Sequence, residues 1–167
     1  RLVSSAASDV YKRQLYNFEK LCGYKFSTKC VLELAKIFPK NIIGVKDSSY
    51  NLYQDLKIKD FSILPGSELK LLSGLEIGCS GIITATCNVT AELSRKVYDD
   101  FFNNVTQTAN NKLCEVRKTF DQFNLISGLH SFLKENDSDY TNILPTLSLL
   151  DPCLLYTSDA ADDTNRV

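Results

Sequence analysis

Four short polar clusters carry the residue types that could do chemistry: Tyr16-Asn17, Lys46-Asp47-Ser48-Ser49, Gly66-Ser67-Glu68 and Thr84 to Asn88. Each stands at the end of a short apolar run. Lys46 closes the run Ile42-Ile43-Gly44-Val45. A lysine sheltered at such a strand end loses the water that stabilises its charge, and the neutral amine attacks carbonyls. Addition to a ketone and loss of water would give a Schiff base. Tyr16, in the preceding cluster, could shuttle protons once a carbonyl is bound. On pattern alone, a solvated lysine at a strand end is the commoner case.

The clusters face one mouth only if the runs before them are strands of one barrel. Leu15 to Phe18, Ile42 to Lys46, Phe61 to Leu64 and Gly81 to Ala85 read as about four strands. Helical spacing intervenes. Ser27 can cap a helix carrying Val31, Leu34, Ala35 and Phe38, and Pro39 stops it. A short helix is expected over Leu52 to Lys57. Glu68 to Ile77 carries Leu71, Leu72 and Leu75, with Gly78 as a C-terminal cap. Thr90 to about Asn103 places Leu93, Val97 and Phe101 on one face.

Strand–helix alternation with continuous apolar strands implies an α/β fold with a parallel sheet covered by helices. From Lys46 to Gly66 is 20 residues and from Gly66 to Thr84 is 18, a repeat close to 20. Such compact units suit a (β/α) barrel better than an open doubly wound sheet, and no GxGxxG fingerprint is present. After Asn103 the pattern turns helical. Leu113, Val116, Phe120 and Phe123 form one stripe, with further helices expected over Leu129 to Lys134 and Ile143 to Leu150. A full barrel has eight strands. The expectation is therefore the C-terminal half of a (β/α)8 TIM barrel, about strands 5–8, plus a C-terminal helical extension. Alone, such a half would be poorly soluble or molten, because its sheet edges are open.

The chain has 167 residues, a net charge of −1, 44% hydrophobic and 23% charged residues. This is an ordinary globular composition with no basic field for nucleic acid. No apolar run approaches the ~20 residues of a membrane span. The ends read differently from the middle. SDVYKRQ, within residues 4–14, and CLLYTSD, within 153–163, back-translate to opposite strands of one DNA element. That element resembles a transposase adaptor used in sequencing libraries. Four segments are expected: an adaptor-derived tail at 1–14, half a barrel at 15–103, the helical extension at 104–152, and a second tail at 153–167. Five cysteines remain between the tails without a CxxC pair, and His130 is the one histidine. No zinc site is expected, and the cysteines read as small core residues of a reduced cytoplasmic protein. His130 reads as a helix residue, and the Asn-x-Ser/Thr triplets as chance.

The segments YNFEKLCG, IIGVKDSS, GSE and GCSGIITATCNV, in this order and spacing, resemble the pyruvate-dependent class I aldolase family. That family includes 4-hydroxy-tetrahydrodipicolinate synthase, N-acetylneuraminate lyase and the 2-keto-3-deoxy-sugar-acid aldolases. The resemblance covers nearly all of residues 15–152. It implies a (β/α)8 barrel with a helical extension, a homotetramer at full length, and no cofactor beyond the covalent Schiff base. It implies that Lys46 captures pyruvate and Tyr16 shuttles protons. It places the backbone of Ile83 against pyruvate, and Ser48, Ser67, Glu68 and Thr84 against a hydroxylated substrate. One position departs. The synthases carry an arginine for a dicarboxylate aldehyde where this chain has Leu21, and the neuraminate lyases carry an apolar residue there. A leucine cannot make that bidentate contact. The expectation is a lyase of 2-keto sugar acids, with pyruvate or a 2-keto acid plus an aldehyde as its small-molecule partners and no nucleic acid or membrane. Lys20, next to Leu21, keeps the synthase open as the alternative. A barrel that binds a keto acid without turnover is the alternative of another class. A phosphate-binding barrel would need a glycine-rich loop that TATCNVT lacks. The chain by itself is expected to be inactive.

Overall fold

The computed structural model describes residues 11–154. Three parallel strands form one sheet: β1 (Arg13–Asn17), β2 (Ile42–Asp47) and β3 (Ser62–Pro65), in the order β1-β2-β3. β1 opens two residues before the barrel boundary expected at 15. The tails at 1–14 and 153–167 otherwise lie largely outside the described residues. Helices follow the strands: α1 (Glu19–Cys22), α2 (Thr28–Ile37), α3 (Leu71–Glu76), α4 (Cys87–Phe102), α5 (Asn110–Phe120) and α6 (Leu125–Leu133).

Side chains alternate across the sheet. Leu15, Val45 and Ile63 are register partners and share one face. That face packs on Val31 of α2 and on Leu52, Tyr53, Leu56 and Cys79, with Phe26, Ile58 and Phe61 at its border. A second core joins Leu71 and Leu75 of α3, Val97 of α4, and Ala109 and Leu113 at α5. Among the described residues, no helix is long and apolar enough to cross a membrane.

Local signals explain most element ends. The Ser27 hydroxyl accepts from the Cys30 N–H and opens α2. Gly78 follows α3 with a φ of 94°, as a C-terminal stop requires. Asn124 caps α6 from its side chain, so that helix begins four residues before the expected start at Leu129.

Three expected elements do not form. Leu52 to Lys57 makes a single turn, closed by the Leu56 N–H to the Leu52 carbonyl. Its first amides are taken by the Asp47 carboxylate, and Leu52, Tyr53 and Leu56 turn into the core. Gly81 to Ala85 is not a strand. It is tied to β3 by the Ser80 and Ile83 N–H groups, bonded to the Ile63 and Pro65 carbonyls, and no ladder forms. The expected four strands are therefore three among the described residues. Ile143 to Leu150 is not helical: it makes one turn, closed by the Leu147 N–H to the Leu144 carbonyl, and the Leu150 N–H is bonded to the Ser131 hydroxyl instead. Glu68 to Ile77 is split: a 3₁₀ turn over Glu68–Lys70 precedes α3. Of the cysteines expected in the core, Cys79 is buried, Cys22 is exposed, and Cys30, Cys87 and Cys114 are half-buried.

Gly44 is fixed by the β2–β3 spacing. A methyl group there would lie 2.6 Å from the Ser62 carbonyl oxygen and 3.1 Å from its Cβ. Gly44→Ala is expected to destabilise the protein by about 1–3 kcal/mol, as overpacking does, read as a lower urea midpoint. Burial also raises the thiol pKa of Cys79 and Cys87 above the ordinary 9.0. The folded chain then keeps protons that the unfolded chain releases. This contribution is complete below 9.0 and is lost as pH climbs through the folded values. Urea midpoints are expected to fall as pH rises through that window.

Candidate active site

Tyr16 of β1 and Lys46 of β2 are register partners, and Leu64 of β3 is the next in the row. These three share the face opposite the Val45 core. The Lys46 ammonium nitrogen lies 4.5 Å from the centroid of the Tyr16 ring, a cation–π distance.

The residues that follow them turn the other way. Asn17 and Asp47 are fully buried. Asp47 Oδ1 accepts from Asn17 Nδ2 at 2.7 Å, and its Oδ2 accepts from the Leu52 and Tyr53 N–H groups at 2.9 and 3.0 Å. Asn17 also donates to Asn51 Oδ1 at 2.8 Å and accepts from the Phe26 N–H at 3.0 Å. Asn51 donates back to the Phe26 carbonyl at 2.9 Å. The Asn17 carbonyl receives the Ser48 and Ser49 N–H groups. The backbone at both strand ends is thereby locked, and with it the roots of Tyr16 and Lys46.

A cleft of about 740 Å³ opens at these ends. Tyr16, Lys46, Ser48, Ser67 and Thr84 all line it, whereas Glu68 and Ile83 do not. Ser67 is buried, and its hydroxyl accepts from the Leu69 N–H. Ile83 is half-buried and donates its N–H to the Pro65 carbonyl at 3.1 Å. Leu21 is 74% exposed and lines the cleft beside Lys20.

Glu68 is wholly buried, with Oε2 3.0 Å from Arg117 Nη1 and 3.1 Å from the Thr84 hydroxyl. Arg117 Nε and Nη2 each lie 2.8 Å from Asp121 Oδ1. Burial opposes the Arg117 charge, but its bonds to Asp121 and Glu68 prevail and raise its pKa above the ordinary value. Arg117 and Asp121 line the cleft without any strand-end signal in the sequence, and Tyr50, just past the Lys46–Ser49 cluster, lines it too. Arg117 sits beside Val116 in the apolar stripe of α5, and its partner Asp121 is one helical turn on. Tyr50 holds a left-handed φ of 57°, unusual for an aromatic residue. Burial raises its phenol pKa, while Arg117 and Ser67 work against that rise. Cys87 lies outside the cleft lining, its Sγ 3.6 Å from the Ser94 hydroxyl. His130 Nδ1 is 2.9 Å from the Tyr140 carbonyl. No cluster of three His, Cys, Asp or Glu that could hold a metal occurs among the described residues.

Residues 6–151 match the model of the dihydrodipicolinate synthetase family. The chain belongs to this family. A 4-hydroxy-tetrahydrodipicolinate synthase from Shigella dysenteriae is 37% identical over 82 residues, 46% of this chain and 27% of that protein. One from Rickettsia prowazekii is 30% identical over 100 residues, 57% of this chain and 33% of that protein. A putative dihydrodipicolinate synthase structure from Thermus thermophilus superposes with a TM-score of 0.77 at 21% identity, covering 96% of this chain and 59% of that one. A prophage protein of the family from Escherichia coli K12, solved in complex with pyruvate, gives 0.68 at 23%, covering 98% and 59%. The aligned segments thus span a third or less of the curated relatives, and under two thirds of the solved ones. The family's TIM-barrel neighbours agree with the α/β architecture read from the strand spacing.

Asp47→Ala would leave three buried N–H groups without an acceptor. At about 1–3 kcal/mol for each unsatisfied group, the loss is expected to exceed about 3 kcal/mol. Urea unfolding of the full-length protein checks it.

Proposed function

We propose that the full-length protein is a Schiff-base-forming, pyruvate-dependent aldolase or lyase acting on 2-keto sugar acids, and that this chain supplies the C-terminal half of its barrel. The pairing of Lys46 with Tyr16 at the cleft mouth carries the reading. In it, the Lys46 amine adds to the ketone carbon of pyruvate, or of the keto acid to be cleaved. Water leaves, and a protonated imine remains. The imine draws electrons from the adjacent carbon, which releases an aldehyde or, after losing a proton, attacks one. Tyr16 carries the proton to and from the hydroxyl oxygens involved. The imine is itself the electron sink, so the scheme needs no metal or organic cofactor.

The distal cleft favours hydroxyl recognition. Ser48 and Ser67 line it, and Leu21 offers no charge. Arg117 faces two carboxylates, Glu68 and Asp121, so its charge is already met. The second reading is 4-hydroxy-tetrahydrodipicolinate synthase, the name that the curated relatives carry. Lys20 and Lys70 on the cleft wall favour it, since either could meet a second carboxylate. We further propose that the separate chain is inactive, since the rest of the barrel mouth would be missing.

Borohydride reduction of the full-length protein with pyruvate is expected to leave a stable adduct on Lys46, located by peptide mass spectrometry and lost in Lys46→Ala. No adduct on the folded protein in excess pyruvate would sink this reading and favour a non-catalytic keto-acid-binding barrel. Tyr16→Phe is expected to lower turnover about 10²–10⁴-fold, the usual weight of a positioned proton carrier, while the adduct still forms.

A further inference from the structure

Arg117 Nη1 has two hydrogens and three acceptors around it. These are Glu68 Oε2 at 3.0 Å, Thr84 Oγ1 at 3.0 Å and Thr86 Oγ1 at 3.2 Å. The Thr84 hydroxyl gives its own proton to Glu68 at 3.1 Å and accepts the Thr86 N–H at 3.3 Å. Its proton and one lone pair are therefore engaged within the protein, and the other lone pair faces Arg117 Nη1. The Thr90 hydroxyl lies 3.2 Å from the other Glu68 oxygen, and Thr86 and Thr90 are almost fully buried. The cluster ties α5, α4 and the 3₁₀ turn to residues 84–86, the continuation of the segment that joins no strand ladder. Asp121 holds the other side of the guanidinium.

We infer that Arg117 is a positioning residue, and that with Glu68 it fixes the 81–86 segment as the distal wall of the cleft. Thr84 then shapes the site through its backbone placement, because its hydroxyl is committed to Glu68 and Arg117. Glu68 holds this wall and does not itself touch substrate. The C-terminal helical layer thereby sets how the second half of the substrate is seated. This last step rests on the aldolase reading; the placement of the wall does not.

The test uses the full-length protein with Arg117→Met and with the double change Glu68→Gln/Arg117→Met. The single variant leaves a buried carboxylate without its cation and is expected to melt earlier. The double variant removes both charges and is expected to regain most of the Tm. In the double variant, amide exchange at Ile83 and Thr86 should rise about tenfold or more, while that of Val45 in β2 stays unchanged. KM for a 2-keto sugar acid should rise about tenfold, with borohydride trapping of pyruvate on Lys46 nearly unaffected. A double variant with restored Tm and parental exchange at Ile83 and Thr86 would overturn the inference, as would an unchanged KM. If the parent protein forms no Lys46 adduct, the aldolase reading fails instead. The exchange measurement then still decides whether Arg117 holds the wall.

Discussion

The buried Asp47 carboxylate is the constraint on which the candidate site depends. Among the described residues no cation pairs with it. Two backbone N–H groups and the Asn17 amide satisfy it instead. A carboxylate out of water is tolerable only when such donors are aimed at it. The chain must therefore turn at Leu52 and Tyr53 to present their amides, and β1 must stand in register to present Asn17. Residues alternate between the two faces of a strand. Because Asp47 is anchored toward the core, its predecessor Lys46 is directed to the opposite face. Asn17 does the same for Tyr16. The frame and the proposed reactive pair are successive residues of the same two strands.

This explains what was legible in the sequence. Lys46 and Tyr16 end apolar runs, and strand alternation alone separates them from Asp47 and Asn17. The three paired strands and the caps at Ser27 and Gly78 were local signals, and the structure follows them. The failures share another cause. Leu52 to Lys57 has helical composition, but the pull of Asp47 on its first amides and the burial of Leu56 end it after one turn. Gly81 to Ala85 has strand composition, yet no ladder forms along it, and composition carries no information about partners. Arg117 was invisible for the same reason. Its meaning comes from Glu68, 49 residues earlier, and from two threonines of an irregular segment.

The two polar networks do different work in the cleft. The Asp47 network is built on strands and uses neutral donors, so it fixes the near wall without placing net positive charge beside Lys46. The Arg117 network is built on helices and loops and uses charges. A segment without a ladder needs stronger ties than a strand does, and hydrogen bonds to charged groups provide them.

The two walls meet at Gly66. Its N–H donates to the Asp47 carbonyl, and Ser67, the next residue, opens the turn that carries Glu68. A side chain at Gly66 would run into Ser48, whose Cα is 3.1 Å from where a Cβ would stand. The absence of that side chain lets the ends of β2 and β3 close together. Lys46 and Thr84 can then line one cleft while belonging to separate networks. A change at Gly66 would move both walls at once, whereas a change at Arg117 reaches the distal wall alone. The fold thus holds the Lys46 end of the cleft on the rigid sheet and delegates the far end to the helical layer.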